Sequence, residues 1–138
     1  VMVEKIRMAM NGVKGKTIGI LGLAFKPNTD DIWDSPAIDI IKILLDEGAA
    51  IKAYDPAAME EARRELPEEG VIYCNDAYET AEGCDALAIL TEWNQFRMLD
   101  LKRVKELLKT PVLIDLRNIY EPEEAKRHGF TYTCVGRP

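Results

Sequence analysis

The chain has a single histidine, no block of basic residues and no cysteine pair at a metal or redox spacing. Each gap removes a class of chemistry. Acidic and basic residues are interspersed and the net charge is −6, so nucleic acid is not an expected partner, because gripping backbone phosphates takes concentrated Lys and Arg. No apolar run approaches the roughly 20 residues that cross a bilayer, and no signal-peptide pattern is present. Cys74, Cys84 and Cys134 are odd in number and match neither zinc-ligand spacing nor Cys-x-x-Cys. Reduced thiols in a cytoplasmic protein are the expectation. None of the three stands beside a histidine or in a setting that would clearly lower its pKa, and His128 falls at a helix C-terminus, where a partial positive charge is favourable. No catalytic residue is assigned. Asp30, Asp31 and Asp34 lie in a loop with Pro27 and Asn28 but have no histidine or cysteine nearby. Aspartates in such loops satisfy local N–H groups, and no metal site is assigned.

What is present suits one domain. The 138 residues are 47% hydrophobic, enough for a full core. Short apolar runs at 17–22, 50–54, 71–73, 86–90, 112–115 and 130–135 read as strands, several of them almost continuously apolar. That pattern belongs to a parallel sheet covered by helices on both faces. Between the runs lie amphipathic segments with their own punctuation. Ser35-Pro36 is an N-cap followed by a first-turn proline, with Gly48 closing that helix. Asp55-Pro56 repeats the device, Asn75 or Asp76 starts a short helix that closes at Gly83, residues 101–108 form another, and Glu121-Pro122 opens the last. The order predicts an α/β, Rossmann-like, doubly wound parallel sheet of about six strands with right-handed crossovers. Residues 3–10 read as the tail of a helix that began earlier, as in a piece of something longer.

The first strand and loop, Gly19-Ile-Leu-Gly22-Leu-Ala-Phe25-Lys26-Pro27, fail the dinucleotide fingerprint. With Gly22 as the second glycine of G-x-G-x-x-G, Ile20 and Phe25 occupy the other two places; with Gly22 as the first, Ala24 and Pro27 do. Those glycines let backbone approach a pyrophosphate and let the helix pack on the strand. A ring and a cation stand here instead, which suits a phosphorylated ligand held partly by a side chain. No cofactor-binding residue is assigned.

In doubly wound sheets ligands bind beyond the carboxyl ends of the strands. The residues there are Phe25-Lys26, Asp55, Thr91-Glu92-Trp93 and Asp115-Leu116-Arg117-Asn118. Lys26 and Arg117 are the cations among them, a point charge and a planar fork, and two cations on one crevice would suit a diphosphate. The bland alternative is that each is a solvated residue or pairs with Asp30, Asp31 or Asp115. Asp55 resembles a ribose-binding acid in position, but Pro56 follows at once and makes it a helix cap. Trp93 and Phe96 read as packing residues.

Gly22-Leu-Ala-Phe25-Lys26-Pro-Asn-Thr29-Asp30-Asp31, Tyr54-Asp55-Pro56, the run from Asp85 to Phe96 and Asp115-Leu-Arg117-Asn118 together resemble the C-terminal domain of the UDP-glucose/GDP-mannose dehydrogenase family, in the right order and spacing over residues 14–138. The resemblance implies the UDP-sugar-binding third of a larger enzyme. Such enzymes oxidise C6 of the sugar in two hydride transfers to NAD, through a thiohemiacetal on a cysteine that lies N-terminal to this segment, as does the NAD domain. It implies Phe25 and Lys26 as contacts to the sugar nucleotide and Arg117 as a contact to its UDP portion. It also implies residues 1–14 as the end of a central helix linking the two halves, residues 15–138 as the nucleotide-sugar domain, and a homodimer. The motifs are most similar to the UDP-glucose branch; GDP-mannose and UDP-N-acetyl-hexosamine dehydrogenases share the architecture. A non-catalytic binding or assembly module and a degenerate NAD-binding domain are the other readings. The sequence departs from the family twice. Trp33-Asp34 replace the Arg-Glu pair whose arginine helps hold NAD, and a tryptophan cannot donate a charged fork. Leu116 replaces a glycine before Arg117 and restricts the backbone there.

Overall fold

A computed structural model describes residues 2–136; Val1, Arg137 and Pro138, at the ends of the two expected segments, lie outside the described residues. The described residues form a six-stranded sheet in the order β3-β2-β1-β4-β5-β6, built from β1 (Thr17–Leu21), β2 (Ala50–Tyr54), β3 (Val71–Tyr73), β4 (Ala86–Ile89), β5 (Val112–Asp115) and β6 (Thr131–Cys134). All neighbours pair in parallel. The chain order reverses between β1 and β4, so the central crevice opens at their carboxyl ends.

Alternation along the strands divides the core in two. Ile18, Ile20, Ile51, Ala53, Ala86, Ala88 and Ile114 face one layer of helices, α1 (Met2–Met10), α2 (Pro36–Asp46) and α3 (Met59–Glu65). Leu21, Leu87, Ile89 and Leu113 face the other, α4 (Ala77–Ala81), α5 (Asn94–Arg97), α6 (Leu101–Leu107) and α7 (Pro122–Arg127). Burial on both faces is what the uninterrupted apolar runs predict. The first layer includes α1 itself, whose Val3, Ile6 and Met10 are buried and whose Arg7 is bonded to Glu47 just past α2.

The helix signals hold with two exceptions. Ser35 caps α2 by accepting from the Ala37 N–H, and Asp76 caps α4 through the Glu79 N–H. Asp55-Pro56, however, does not start a helix. One Asp55 oxygen accepts from the N–H groups of Ala57 and Ala58, each at 2.8 Å, which holds a turn; α3 begins only at Met59, with no side-chain cap. The one-turn α5 was not expected either: it has neither a side-chain cap nor a full helical repeat.

Gly22 sets how closely the first loop lies on the segment that follows β4. Its φ is +102°, and a Cβ there would sit 2.5 Å from the Thr91 Cβ and Oγ1. Both the torsion and the contact forbid a side chain. Gly22→Ala is expected to cost about 3 kcal/mol of unfolding free energy, read as a lowered midpoint in urea denaturation; an unchanged midpoint would mean that the loop is not pressed against Thr91.

Candidate functional site

At the mouth of the crevice, the first loop presents its backbone N–H groups as it would to a phosphate, but a carboxylate already takes them. Asp55, fully buried at the end of β2, accepts from the Leu23 N–H at 2.7 Å and the Ala24 N–H at 3.1 Å through Oδ2. The same oxygen accepts from the Trp93 indole N–H at 3.2 Å. Asp55 therefore ties together the segments following β1, β2 and β4. The sequence identified it as a local cap; the longer reach of Oδ2, across 32 residues to Leu23, is a tertiary feature. Thr91 and Ser35 complete the closure, donating their hydroxyls to the Ala24 and Leu23 carbonyls, both at 2.8 Å.

With the Leu23 and Ala24 amides occupied, the loop offers side chains. Phe25 is 46% exposed and donates its backbone N–H to the Asp31 carbonyl. Lys26 is exposed, and its ammonium has no hydrogen bond or ion pair among the described residues. It does not pair with Asp30 or Asp31. Asp31 instead accepts from the Trp33 N–H at 2.8 Å, the local use expected of loop aspartates. Trp33 is 78% exposed. It borders a cavity of about 250 Å3 together with Asp34, Asp39, Lys42 and Glu65; neither Lys26 nor Arg117 lines it.

Arg117 follows β5, two strands from Lys26 in the sheet order, a separation of roughly 10 Å at the strand ends. Its loop is built on a second buried acid. Asp115 accepts from the Arg117 N–H at 3.2 Å through Oδ1, and from the Tyr120 N–H at 2.9 Å and the Tyr132 hydroxyl at 2.6 Å through Oδ2. Burial, helped by the charge of Asp115, raises the Tyr120 phenol well above its ordinary value. Asn118, at φ 55°, exchanges hydrogen bonds with the Val135 backbone through its side-chain amide. Leu116 has no positive φ and is buried in the core, so the residue before Arg117 needs no glycine here.

The Arg117 guanidinium is paired, though not with Asp115. Its Nε and Nη2 both donate to Glu92 Oε2, at 3.2 and 2.6 Å. Burial raises the Glu92 carboxyl, but hydrogen bonds from Arg117 and the Glu92 backbone, with the charges of Arg117 and Arg97, outweigh it and hold the group below its usual value. This partner was missed, although the signal was available: Glu92 follows β4, Arg117 follows β5, and the two strands are neighbours.

All three cysteines are buried and free. Desolvation raises the Cys74 thiol and pushes Cys84 up to about 11, the opposite of an activated nucleophile. Phe96 is fully buried and Trp93 half-buried, as packing residues should be.

The strand order and the occupied loop define a Rossmann-like domain without a dinucleotide cradle. Residues 19–122 match the UDP-glucose/GDP-mannose dehydrogenase family, UDP binding domain, and the chain belongs to that family. It is 51% identical over 138 residues to the UDP-glucose 6-dehydrogenase of Rhizobium meliloti, covering 99% of this chain and 31% of that protein. It is 48% identical over 137 residues to the UDP-glucose 6-dehydrogenase TuaD of Bacillus subtilis, again covering 99% of this chain, and 30% of the relative. The chain therefore spans less than a third of the length of these curated relatives. Among solved structures, a UDP-glucose dehydrogenase from Pyrobaculum islandicum superposes with a TM-score of 0.76 at 31% identity, covering 96% of this chain and 28% of that one. An NDP-N-acetyl-D-galactosaminuronic acid dehydrogenase from Methanosarcina mazei superposes with a TM-score of 0.83 at 25% identity, covering 99% of this chain and 28% of that one.

Two outcomes follow from the buried groups. Asp55→Ala orphans several buried N–H donors at once and is expected to cost about 4 kcal/mol in chemical denaturation; a loss near zero would mean that water replaces the carboxylate without penalty. Cys84 adds to the pH dependence on the alkaline side. Its folded thiol titrates at about 11 against an ordinary 9.0, so its contribution to stability is complete below pH 9 and fades as pH rises toward 11. At neutral pH, iodoacetamide is expected to spare Cys84 in the folded chain and label it once the chain is unfolded, as mass spectrometry would show.

Proposed function

We propose that this chain is the nucleotide-sugar-binding part of a longer NAD-dependent UDP-glucose 6-dehydrogenase, holding UDP-glucose through Phe25, Lys26 and Arg117. The observation that carries this reading is the unpartnered Lys26, exposed beside Phe25 on a loop whose Leu23 and Ala24 N–H groups are already taken by Asp55. Two long cationic side chains on loops that follow strands roughly 10 Å apart can reach one diphosphate. Lys26 would supply a mobile point charge and Arg117 a planar pair of donors. Phe25 would give the sugar or ribose an apolar edge.

The loop does not fit NAD. The glycines of the fingerprint are missing, and a bound pyrophosphate would have to displace the Asp55 carboxylate from the Leu23 and Ala24 N–H groups. Hydride transfer and the catalytic thiol therefore belong to the remainder of the longer protein, and the buried cysteines here take no part. On this reading residues 1–14 end the helix joining the two halves, residues 15–138 form the sugar-nucleotide domain, and the whole enzyme is a cytoplasmic homodimer. Among the described residues, no helix is long and apolar enough to cross a membrane. The identity to UDP-glucose 6-dehydrogenases supports UDP-glucose over GDP-mannose or a UDP-N-acetyl-hexosamine.

Calorimetric titration of the chain with UDP-glucose, GDP-mannose and NAD tests the reading. Saturable binding is expected for UDP-glucose, with Lys26→Ala and Arg117→Ala each weakening it about tenfold or more. Saturable binding of NAD with no response to UDP-glucose would replace it with a degenerate dinucleotide domain.

A further inference from the structure

The Glu92–Arg117 pair has a geometry that an ordinary surface ion pair does not need. A single oxygen, Oε2, takes both bonds, while Oε1 is buried with no hydrogen-bond partner. Both side chains are only 27% exposed. An orphaned carboxylate oxygen out of water is costly, and if Arg117 swung away the Glu92 carboxylate would lose both guanidinium bonds and keep only its own backbone N–H. The pair is therefore one that Arg117 does not readily leave.

The atoms used matter as much as the pairing. Arginine offers one edge through Nε and Nη2 and a second through Nη1 and Nη2. Glu92 occupies the first; Nη1 makes no hydrogen bond among the described residues. The terminal edge, with two parallel donors, is thus left available, and it is the edge suited to a bidentate phosphate. Meanwhile the backbone of the same residue is held by Asp115 and the next residue by Val135. The root of Arg117 is fixed by its loop and its head by Glu92.

We propose that Glu92 is a positioning residue for the sugar nucleotide: it clamps Arg117 side-on so that the guanidinium's free edge is presented to the diphosphate. This inference rests on the proposed nucleotide reading of the site. It makes a prediction opposite in sign to that of simple charge. Removing an acidic residue near a diphosphate should tighten binding if repulsion governs, whereas removing a clamp should weaken it.

The test is UDP affinity in a double-mutant cycle of Glu92→Gln and Arg117→Ala, read by calorimetry, together with the arginine Nε–H resonances of the labelled chain. Glu92→Gln is expected to weaken UDP binding about tenfold in the presence of Arg117 and to have no effect once Arg117 is alanine. The Arg117 Nε–H signal, sharp and slow to exchange in the free chain, should broaden into solvent exchange in Glu92→Gln. Glu92→Asp, which keeps the charge on a shorter stem, should recover part of the affinity. Equal or tighter UDP binding by Glu92→Gln would overturn the positioning role while leaving the nucleotide site intact. An effect that persists without Arg117 would overturn it too, as a purely structural loss. If UDP does not bind the unmodified chain, or binds Arg117→Ala equally well, the nucleotide reading falls and the positioning role with it.

Discussion

The arrangement of the crevice depends on one buried carboxylate. Asp55 lies at the end of β2 and satisfies N–H groups from the loop after β1, the turn that follows β2 and the indole after β4. Hydrogen bonds to a charged acceptor in a dry setting are stronger than neutral ones, and an unpaired member of such a network is correspondingly costly. The same oxygen that secures the first loop also takes the donors that a pyrophosphate would otherwise use. In effect the protein carries its own anion at the position where dinucleotide-binding relatives of this architecture hold a ligand. On the proposed function, recognition of a phosphorylated ligand would therefore pass from backbone to side chains.

A second buried acid organises the other side. Asp115 ends β5, fixes the turn that bears Arg117 and accepts the Tyr132 hydroxyl from β6. Asp55 directly follows β2 and Asp115 ends β5, both are fully buried, and each holds the backbone of a loop carrying an exposed or half-exposed cation. The loops are thereby held at their roots, while the Lys26 ammonium makes no hydrogen bond or ion pair among the described residues and Arg117 is held by Glu92. Rigid roots lower the ordering cost that binding would otherwise incur.

Most of the fold was legible because its signals are local. Uninterrupted apolar runs mark strands buried on both faces, and Ser35-Pro36, Asp76 and Glu121-Pro122 mark helix starts at the places where the structure has them. The α5 turn was illegible because four residues without a cap carry no period. Asp55-Pro56 misled for a related reason: the aspartate does cap a turn, but its second oxygen is committed to Leu23 and Ala24, and the helix waits until Met59. The candidate site was half legible. The positions of Phe25, Lys26 and Arg117 beyond strand ends follow from the topology, as does the absence of a glycine cradle. The Glu92–Arg117 pair depends on which strands are neighbours and which side chains are long enough to meet, so it lies 25 residues apart in sequence and could be found only by laying the strand ends side by side.

On the proposed function this domain handles a sugar nucleotide through side-chain cations, because Asp55 fills the Leu23 and Ala24 N–H groups. A crystal structure of the chain with UDP-glucose tests that most directly. The diphosphate is expected against Lys26 and Arg117, with Asp55 still bonded to the Leu23 and Ala24 N–H groups. Phosphate oxygens on those two amides, with Asp55 displaced, would contradict it.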